Sequence, residues 1–434
     1  MLDIRLIREE PEVVRQKLAT KNVDAPIDEI LSLDEQRRAT INEVEALKNQ
    51  RNEGSKLVGR TKDADERNRL IAEMKGLGDR ISELDDVLRD VDAKLRDILL
   101  GIPNLPDADV PVGPDESANV VEWERGVKRT FDFEPKPHWD LAEELGIIDF
   151  ERGVKIAGTR GYMFKGDGSR LSRALITWMI DVHTRRHGYT EVTPPYMVLG
   201  EMLVGTGSLP KFADTLFHDH QDDKWLIPTA EVPVTNMYRD EILDEKLLPI
   251  YHVAATPCFR REQISGGRDV RGIKRVLQFD KVEMVKFVHP DQGEAELQNL
   301  LDEALYIVEQ LGLPHRLLNL STGDMTFSSA HTFDIETWAP GSGEWLEISS
   351  CSLFRDYQAR RANLRFRSEE TGKTQFLYTL NGSGLALPRV IIAIIENYQR
   401  ADGTVEVPEV LRPYLGGQET IMIQPKPGPS AHQA

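Results

Sequence analysis

The sequence is poor in cysteine, in long apolar runs and in net positive charge. Its two cysteines, Cys258 and Cys351, are too few for a disulfide framework or a cysteine-rich zinc site. The longest apolar runs, such as Val390 to Ile395, are too short to span a bilayer, and the charged N-terminal stretch lacks the apolar segment of a signal peptide. A formal net charge of −18 argues against broad nucleic-acid binding unless a local basic patch exists. We therefore expect a cytoplasmic protein without a membrane segment.

The N-terminal part predicts a long helical hairpin. An apolar heptad pattern continues without a break, and an upstream segment from about residue 27 to 54 has a rougher apolar stripe. The heptad positions are Leu70, Met74, Leu77, Ile81, Leu84, Leu88, Val91, Leu95 and Ile98. Because Gly54, Ser55 and Gly59 interrupt the pattern, we expect two antiparallel helices that turn there, within a coiled coil over about residues 27–100. Such an arm is either a scaffold or dimerisation element, or a binding arm.

A proline-rich acidic stretch follows the helical arm. Pro106, Pro111 and Pro114 indicate a linker or a surface loop. We therefore expect an arm over residues 1–110, a mixed α+β domain over residues 111–420, and a disordered tail over residues 421–434. The fold class is α+β, with a mainly antiparallel sheet and flanking helices in the second domain.

The stretch from Cys258 to Phe287 predicts an antiparallel hairpin with a long loop from Ser265 to Gly272. Side chains alternate between the two faces of a strand, so charged residues with even spacing are expected together. The residues expected on adjoining faces are Arg260 and Glu262 on the first strand, and Arg275, Phe279 and Glu283 on the second. This composition suits a ligand with a phosphate, a flat base and an ammonium group. The alternative is an exposed hairpin with solvated charges.

Three further segments carry polar groups at the ends of predicted elements. Thr229-Ala230-Glu231 follows a short strand, where Thr229 could equally be a helix N-cap. Glu347 lies on a strand that ends in small hydroxyl residues, and its alternative is an edge-strand surface residue. Asn381-Gly-Ser383-Gly384 predicts a small-residue turn before a buried helix from Leu385 to about Tyr398. Arg389, near the start of that helix, meets either a polyphosphate or a neighbouring carboxylate.

Together these segments resemble the signature motifs of the class II aminoacyl-tRNA synthetases, in the form found in seryl-tRNA synthetases. The predicted helix from Ser169 to His187, followed by the strand-like stretch from Gly188 to Pro195, resembles the first motif, which forms the dimer interface in that family. The stretch from Phe259 through the Gly/Arg loop to Glu283 resembles the second motif, and Asn381 to Arg389 the third. The motifs occur in the family's order, and the helical arm precedes them, so the resemblance covers nearly the whole chain.

The resemblance implies a role for each matching residue. Catalytic residues would be Arg260, Arg275 and Arg389. L-serine would be bound by Thr229, Ala230, Glu231, Glu283 and Ser383. ATP would be bound by Arg260, Arg261, Glu262, Val276, Phe279, Glu347, Ile348, Ser349, Ser350 and Arg389. Mg²⁺ would be held by Glu347 and Ser350. The arm would contact tRNA phosphates through Lys48, Arg51, Lys56 and Arg60.

The resemblance further implies a two-step reaction and its partners. Serine and ATP would form seryl-adenylate, and the seryl group would pass to tRNA(Ser) and also to tRNA(Sec), on a homodimer. Two rival functions are an adenylating enzyme that loads a carrier protein, which is expected to lack a full arm, and a non-catalytic coiled-coil protein, which is expected to lack a motif Arg or Glu. The pair His218 and His220 is interpreted as part of a solvated loop, with a metal site as the alternative.

Overall fold

The computed structural model describes residues 1–262 and 271–424. The chain divides into two compact units, Met1–Pro103 and Asn104–Ala434. The second unit begins earlier than residue 111, where we expected it, because the Asn104 side-chain amide donates to the Ser328 and Phe354 carbonyls at 3.0 and 2.9 Å. Most of the expected 265–272 loop, and residues 425–434 of the expected tail, lie outside the described residues.

The first unit is helical. Its α-helices are α1 (Ile4–Glu9), α2 (Pro11–Thr20), α3 (Ile27–Arg60) and α4 (Ala64–Leu100). At a rise of about 1.5 Å per residue, α3 and α4 are each roughly 50 Å long. Ion pairs join them in antiparallel register, from Arg80 to Glu43 at 3.0 Å and from Arg37 to Asp92 at 2.6 Å. The antiparallel hairpin thus has the form expected from the heptad pattern.

The turn of the hairpin lies further along the chain than we expected. Helix α3 continues through Gly54 and Gly59, and the chain leaves helical geometry only between Arg60 and Ala64. Gly54 is buried in the helix, where a Cβ atom would lie 2.3 Å from the Met74 Sδ atom of α4. The glycine therefore gives the facing methionine room to pack and does not end the helix.

The second unit combines helices and strands. Its α-helices are α5 (His138–Leu145), α6 (Phe150–Ala157), α7 (Asp167–Arg185), α8 (Gly200–Thr206), α9 (Glu231–Thr235), α10 (Gly293–Gln310), α11 (Tyr357–Ala362) and α12 (Leu387–Asn397). Its first strands are β1 (Val120–Arg125), β2 (Thr190–Glu191), β3 (Met197–Leu199), β4 (His218–Asp219), β5 (Lys224–Leu226), β6 (Ile242–Asp244), β7 (Ile250–Phe259) and β8 (Gln278–Val288). The later strands are β9 (His315–Asn319), β10 (His331–Ala339), β11 (Glu344–Arg355), β12 (Arg365–Arg367), β13 (Thr374–Phe376), β14 (Tyr378–Ala386), β15 (Val405–Glu406) and β16 (Thr420–Ile421).

An eight-stranded sheet organises this unit, in the order β1-β9-β10-β11-β14-β8-β7-β2. Its pairings are antiparallel except for the short parallel pair of β2 and β7. Alternate residues such as Val282, Met284 and Leu380 join the main apolar core with helices α7, α10 and α12. The opposite side chains of the same strands remain available for a site on the other face. The expected α+β class, with a mainly antiparallel sheet, is confirmed.

The segment before α12 differs from the expected turn. Strand β14 continues through Gly382, Ser383 and Gly384 to Ala386, and α12 begins at the next residue. A bulge at Gly384 shifts the pairing with β8. A Cβ atom at Gly384 would lie 2.8 Å from the Nε2 atom of His183 in α7, so the small residue permits close packing of the strand against that helix.

Ile421, which we expected in the disordered tail, is buried and pairs with Val405, because β16 lies beside β15. No helix among residues 1–262 and 271–424 is both long and apolar enough to cross a membrane.

Candidate functional site

A cavity of about 560 Å³ lies on the sheet face opposite the helical core. Most of the residues that the sequence predicts for one site line this cavity, although they are far apart in the chain. Those that line it are Thr229, Glu231, Arg260, Glu262, Arg275, Val276, Phe279, Glu283, Glu347, Ile348, Ser350, Ser383 and Arg389. The residues expected at one site therefore surround a single space, large enough for a small ligand.

The ends of the β7–β8 hairpin form one wall, with shorter strands than we expected. Arg260 and Glu262 follow the end of β7, so strand alternation does not place them. The Arg260 backbone N–H instead donates to the Leu277 carbonyl at 3.0 Å, which continues the pairing. The Arg260 guanidinium lies 5.2 Å from the centre of the Phe279 ring. Arg275 precedes β8 and lies 3.8 Å from the Glu262 carboxylate.

Strand β8 contributes an acidic and basic pair to the floor. Phe279, Lys281 and Glu283 alternate with core residues and face the cavity. Lys281 forms an ion pair with Glu283, and the two side chains are almost fully buried. Buried charges require partners of this kind. The Glu283 carboxylate is thus held at a fixed position in the deep part of the cavity.

Glu231 forms a second carboxylate close to Glu283. Burial and the Glu283 charge raise the pKa of Glu231 to about 7. The Gln358 side-chain amide donates to Glu231 Oε1 at 2.6 Å and orients it. Because Lys281 pairs with Glu283, the ionised form of Glu231 gives the pocket a net negative charge, which favours a ligand with a positive charge.

Thr229 and Ser383 add hydroxyl groups at the cavity wall. The Glu231 backbone N–H lies 3.3 Å from Thr229 Oγ1, so Thr229 supports the start of α9 while it also lines the cavity. Ser383 lies opposite Glu283 in the β14–β8 register. The N-cap position of α9 is occupied by Ala230, so Thr229 is not the N-cap residue that the alternative predicted.

A bulge in β11 places Glu347 and Ser350 on the same face. Residues three apart point to opposite faces of a regular strand, but here the register shifts between the pairs Ile335–Ser349 and Glu336–Glu347. Glu347 and Ser350 consequently both line the cavity.

Arg389 pairs with Glu347 from the first turn of α12. Its Nη1 atom lies 3.0 Å from Glu347 Oε2 and donates to the Glu347 carbonyl at 2.8 Å. Burial raises the pKa of Glu347, but the Arg389 guanidinium outweighs it and holds that pKa below its ordinary value. Every other residue of α12 is buried, and Arg389 is the charged residue that the helix presents to the cavity, beside Pro388. Arg389 therefore pairs with a neighbouring carboxylate, as one of the two alternatives predicted, and it also lines the cavity.

The oxygen atoms at this end fit a hard divalent cation. Mg²⁺ prefers one or two carboxylates together with phosphate oxygens and water. Glu347 offers an ionised carboxylate, and the Ser350 hydroxyl lies on the same face. Behind them, Asp334 Oδ1 is buried without a hydrogen-bond partner among the described residues. The donor set is therefore suited to Mg²⁺.

Some nominated residues do not line the cavity: Ala230, Arg261 and Ser349. Ala230 is buried in a separate apolar cluster behind α9. The Arg261 Nε donates to the Leu216 carbonyl at 2.7 Å. Ser349 is almost completely buried, and its hydroxyl donates to the Ser383 carbonyl at 2.6 Å.

The remaining nominated residues lie elsewhere. Lys48, Arg51, Lys56 and Arg60 are on α3, where Lys48 is 3.7 Å from Asp85 while Lys56 and Arg60 are exposed. His218 stacks on Trp225 at 3.9 Å between ring centres and lies 2.8 Å from Asp223 Oδ1.

Sequence reasoning missed several residues that line or support the cavity. Lys281 and Asn381 line it, and their even spacing from Glu283 and Ser383 could have shown this. Lys274 also lines it and pairs with Glu344 at 2.6 Å. Gln358, which holds Glu231, had no sequence pattern that could reveal it.

Comparison with known families agrees with this fold and site. Residues 213–398 match the family described as "tRNA synthetase class II core domain (G, H, P, S and T)", and residues 1–106 match "Seryl-tRNA synthetase N-terminal domain". The second unit is therefore the catalytic domain of a class II aminoacyl-tRNA synthetase.

Whole-chain relatives narrow this class. The chain is 61% identical to a serine–tRNA ligase of Thermomicrobium roseum, over 98% of this chain and 96% of that protein. It is 58% identical to the one of Herpetosiphon aurantiacus, over 97% of this chain and 100% of that protein. A crystal structure of seryl-tRNA synthetase from Pyrococcus horikoshii complexed with ATP superposes with a TM-score of 0.91 at 36% identity, covering 98% of this chain and 100% of that one. The chain belongs to the seryl-tRNA synthetase (serine–tRNA ligase) family, which confirms the resemblance found in the sequence.

Proposed function

We propose that the protein activates L-serine with ATP as seryl-adenylate and then transfers the seryl group to tRNA(Ser). The observation that carries this proposal is that one cavity combines a pocket of two carboxylates with an arginine-rich and aromatic wall. The first part suits an amino acid, and the second suits a nucleoside triphosphate. Membership in the serine–tRNA ligase family supports the same reaction.

In this proposal the carboxylate pocket binds serine. Glu231 and Glu283 accept hydrogen bonds from the ammonium and hydroxyl groups, and Thr229 and Ser383 lie beside them. A pocket that pairs with a hydroxyl group discriminates strongly against alanine, because its own buried polar groups would be left unpaired. The ion pair with Lys281 keeps Glu283 in place before serine arrives.

The opposite wall binds ATP. Phe279 stacks on the adenine, and Glu262 accepts a hydrogen bond from the adenine amino group. Arg275 and Arg389 contact the triphosphate, since guanidinium groups are suited to forked contacts with phosphate. The backbone near Arg261, Val276, Ile348 and Ser349 completes this wall in the proposal, and ATP in the Pyrococcus horikoshii complex supports the ligand class.

Glu347 and Ser350 would hold Mg²⁺ at the phosphate end of the cavity. When bound, the ion supplies charge neutralisation for the pyrophosphate that leaves. Arg389, which already pairs with Glu347, adds a second positive charge at the same place.

The first step needs positioning and charge stabilisation by the chain. The serine carboxylate oxygen bonds to the α-phosphorus while the bond from that phosphorus to the β-phosphate oxygen breaks, which releases pyrophosphate. Arg260, which lies beside Phe279, contacts both the serine carboxylate and the α-phosphate and stabilises the charge on the five-coordinate phosphorus. No covalent nucleophile of the protein is required.

In the second step a terminal ribose hydroxyl of tRNA attacks the seryl carbonyl carbon, the bond from that carbon to the AMP phosphate oxygen breaks, and AMP leaves with the hydroxyl proton. The helical arm supplies the tRNA contacts in this proposal, through the basic residues of α3, of which Lys56 and Arg60 are exposed. The N-terminal family match supports this assignment. We further propose that the enzyme acts as a homodimer in the cytoplasm and also charges tRNA(Sec).

The test is ATP–pyrophosphate exchange with each of the twenty amino acids, followed by charging of purified tRNA(Ser) and tRNA(Sec). We expect serine alone to give fast exchange and both tRNAs to accept serine. Exchange with another amino acid at an equal rate, or serine exchange without charging of tRNA(Ser), would refute the proposal.

A further inference from the structure

A buried polar chain connects helix α12 to the segment that precedes β8. It runs from Glu396 through His138 to the backbone of Ile273, and all three residues are almost completely buried. None of them lines the cavity, but Lys274, Arg275 and Val276, which follow Ile273 directly, do line it. This hydrogen-bonded series therefore ends at the part of the cavity wall that carries Arg275, which is proposed to contact the triphosphate.

Glu396 is the fixed end of this chain. It accepts hydrogen bonds from the backbone N–H groups of Gly341 and Ser342 at 2.9 Å each, and from the Ser342 hydroxyl at 2.7 Å. The His138 backbone N–H donates to Glu396 Oε1 at 2.8 Å. Burial raises the pKa of Glu396, but the hydrogen bonds from the His138 ring, the Ser342 hydroxyl and the His138 backbone outweigh it and hold the pKa below its ordinary value.

An ionised Glu396 determines which nitrogen of His138 carries the proton. Nδ1 lies 3.1 Å from Glu396 Oε1, which can only accept, so Nδ1 carries the hydrogen. The lone pair then lies on Nε2, which accepts the Ile273 backbone N–H at 3.3 Å. The His138 imidazole thus links α12 to Ile273, because it donates to Glu396 and accepts from the Ile273 backbone N–H.

Gly272 allows the polypeptide backbone to pass close to the His138 imidazole. Its φ of +78° is in the left-handed region, and a Cβ atom there would lie 1.9 Å from His138 Nε2. Any larger residue would displace the ring or the segment. The close approach of Gly272 and the hydrogen bond to Ile273 are two separate contacts that align this segment on His138.

We infer that His138 is a positioning residue for ATP, which sets the place of Arg275 at the triphosphate by anchoring the backbone of residues 272–273. The inference rests on the proposed function, because it assigns the triphosphate to the same cavity. It predicts that loss of the acceptor at the His138 Nε2 position weakens ATP binding and leaves serine binding unchanged.

The experiment compares two variants of the full-length chain. The amide nitrogen of His138→Asn replaces Nδ1 and keeps the donor to Glu396, but its side chain has no acceptor at the Nε2 position. The amide oxygen of His138→Gln reaches the Nε2 position and restores the acceptor for Ile273. Each variant loses one nitrogen position of the ring, so a general loss of packing would affect both.

We expect the Asn variant to raise the KM for ATP by about tenfold, less than the ~10²-fold that a 1 Å misplacement of a reacting group can cost. Its KM for serine should stay within about twofold of wild type, and the Gln variant should restore most of the ATP affinity. An Asn variant with wild-type KM for ATP, or a Gln variant as impaired as the Asn variant, would overturn the inference.

Two additions separate failure of the inference from failure of the proposed function. Calorimetric titration of each variant with ATP alone measures the affinity without any amino acid, so it decides the role of His138 even if serine-dependent exchange is absent in wild type. If the Asn variant does not fold, Gly272→Ala provides the second perturbation. It should weaken ATP binding by a similar factor, and unchanged ATP affinity in that variant would contradict the anchor.

Discussion

Lowering the pH should weaken serine binding through Glu231. Burial and the nearby Glu283 carboxylate raise the pKa of Glu231 to about 7. Only the ionised form gains a charge-assisted hydrogen bond to the serine ammonium, and a raised pKa means that the proton binds as pH falls through about 7. Serine recognition should therefore be complete above this pH and lost progressively below it.

The size of the effect follows from the ionised fraction. With a pKa of about 7, roughly nine-tenths of Glu231 is ionised at pH 8 and roughly one-tenth at pH 6, so kcat/KM for serine should fall about tenfold between them. Glu231→Gln is the matched control, because it keeps the Oε1 atom that accepts from Gln358 but cannot titrate. Its kcat/KM should be about 10–150-fold lower, in line with the loss of a hydrogen bond to a charged group, ~1.5–3 kcal/mol.

Serine-dependent ATP–pyrophosphate exchange at saturating ATP and Mg²⁺ is the assay, with serine varied at each pH. The Gln variant also corrects for titration of ATP itself, because both proteins use the same nucleotide. The expected result is a tenfold slope in wild type and a flat profile in the variant. The same pH slope in both proteins would refute the role of Glu231 in serine binding.

Three other perturbations test separate parts of the site and the arm. Glu283→Ala should abolish serine-dependent exchange, because it removes a buried carboxylate and leaves Lys281 without its partner; near-normal exchange would rule out the serine pocket. Phe279→Leu should raise the KM for ATP by about tenfold, since stacking of a base on an aromatic ring contributes ~1–3 kcal/mol, whereas Phe279→Tyr should not; equal KM values for ATP would mean that the ring does not stack. Deletion of residues 30–95 should leave exchange largely intact and remove charging of tRNA; equal loss of both activities would make the arm a folding element.

The sequence allowed the residues that line the cavity to be predicted better than the backbone geometry that places them there. Arg260 and Glu262 were nominated from an alternating strand pattern, yet both follow the end of β7. They still line the cavity, because the Arg260 backbone continues the pairing with Leu277 beyond the strand. The residue types made the prediction possible, because arginine, glutamate and phenylalanine together indicate a ligand chemistry. This holds even though the predicted end of the strand was wrong.

Bulges and close packing limited the rest. A period of two residues cannot place Glu347 and Ser350 on one face, and only the register shift in β11 does so. A glycine such as Gly54 usually predicts the end of a helix. Here it faces Met74 of the partner helix, and a local sequence pattern cannot reveal such a contact. Gln358 supports Glu231 across a long sequence separation, and such contacts depend on the whole fold.

A crystal structure with a non-hydrolysable seryl-adenylate analogue tests the central claim most directly. We predict that the analogue occupies the cavity of about 560 Å³, with its amino group at Glu231 and Glu283 and its adenine on Phe279. Arg260 should lie within hydrogen-bond distance of the group that replaces the α-phosphate. An analogue bound outside this cavity, or with its seryl end directed away from the two carboxylates, would contradict the account.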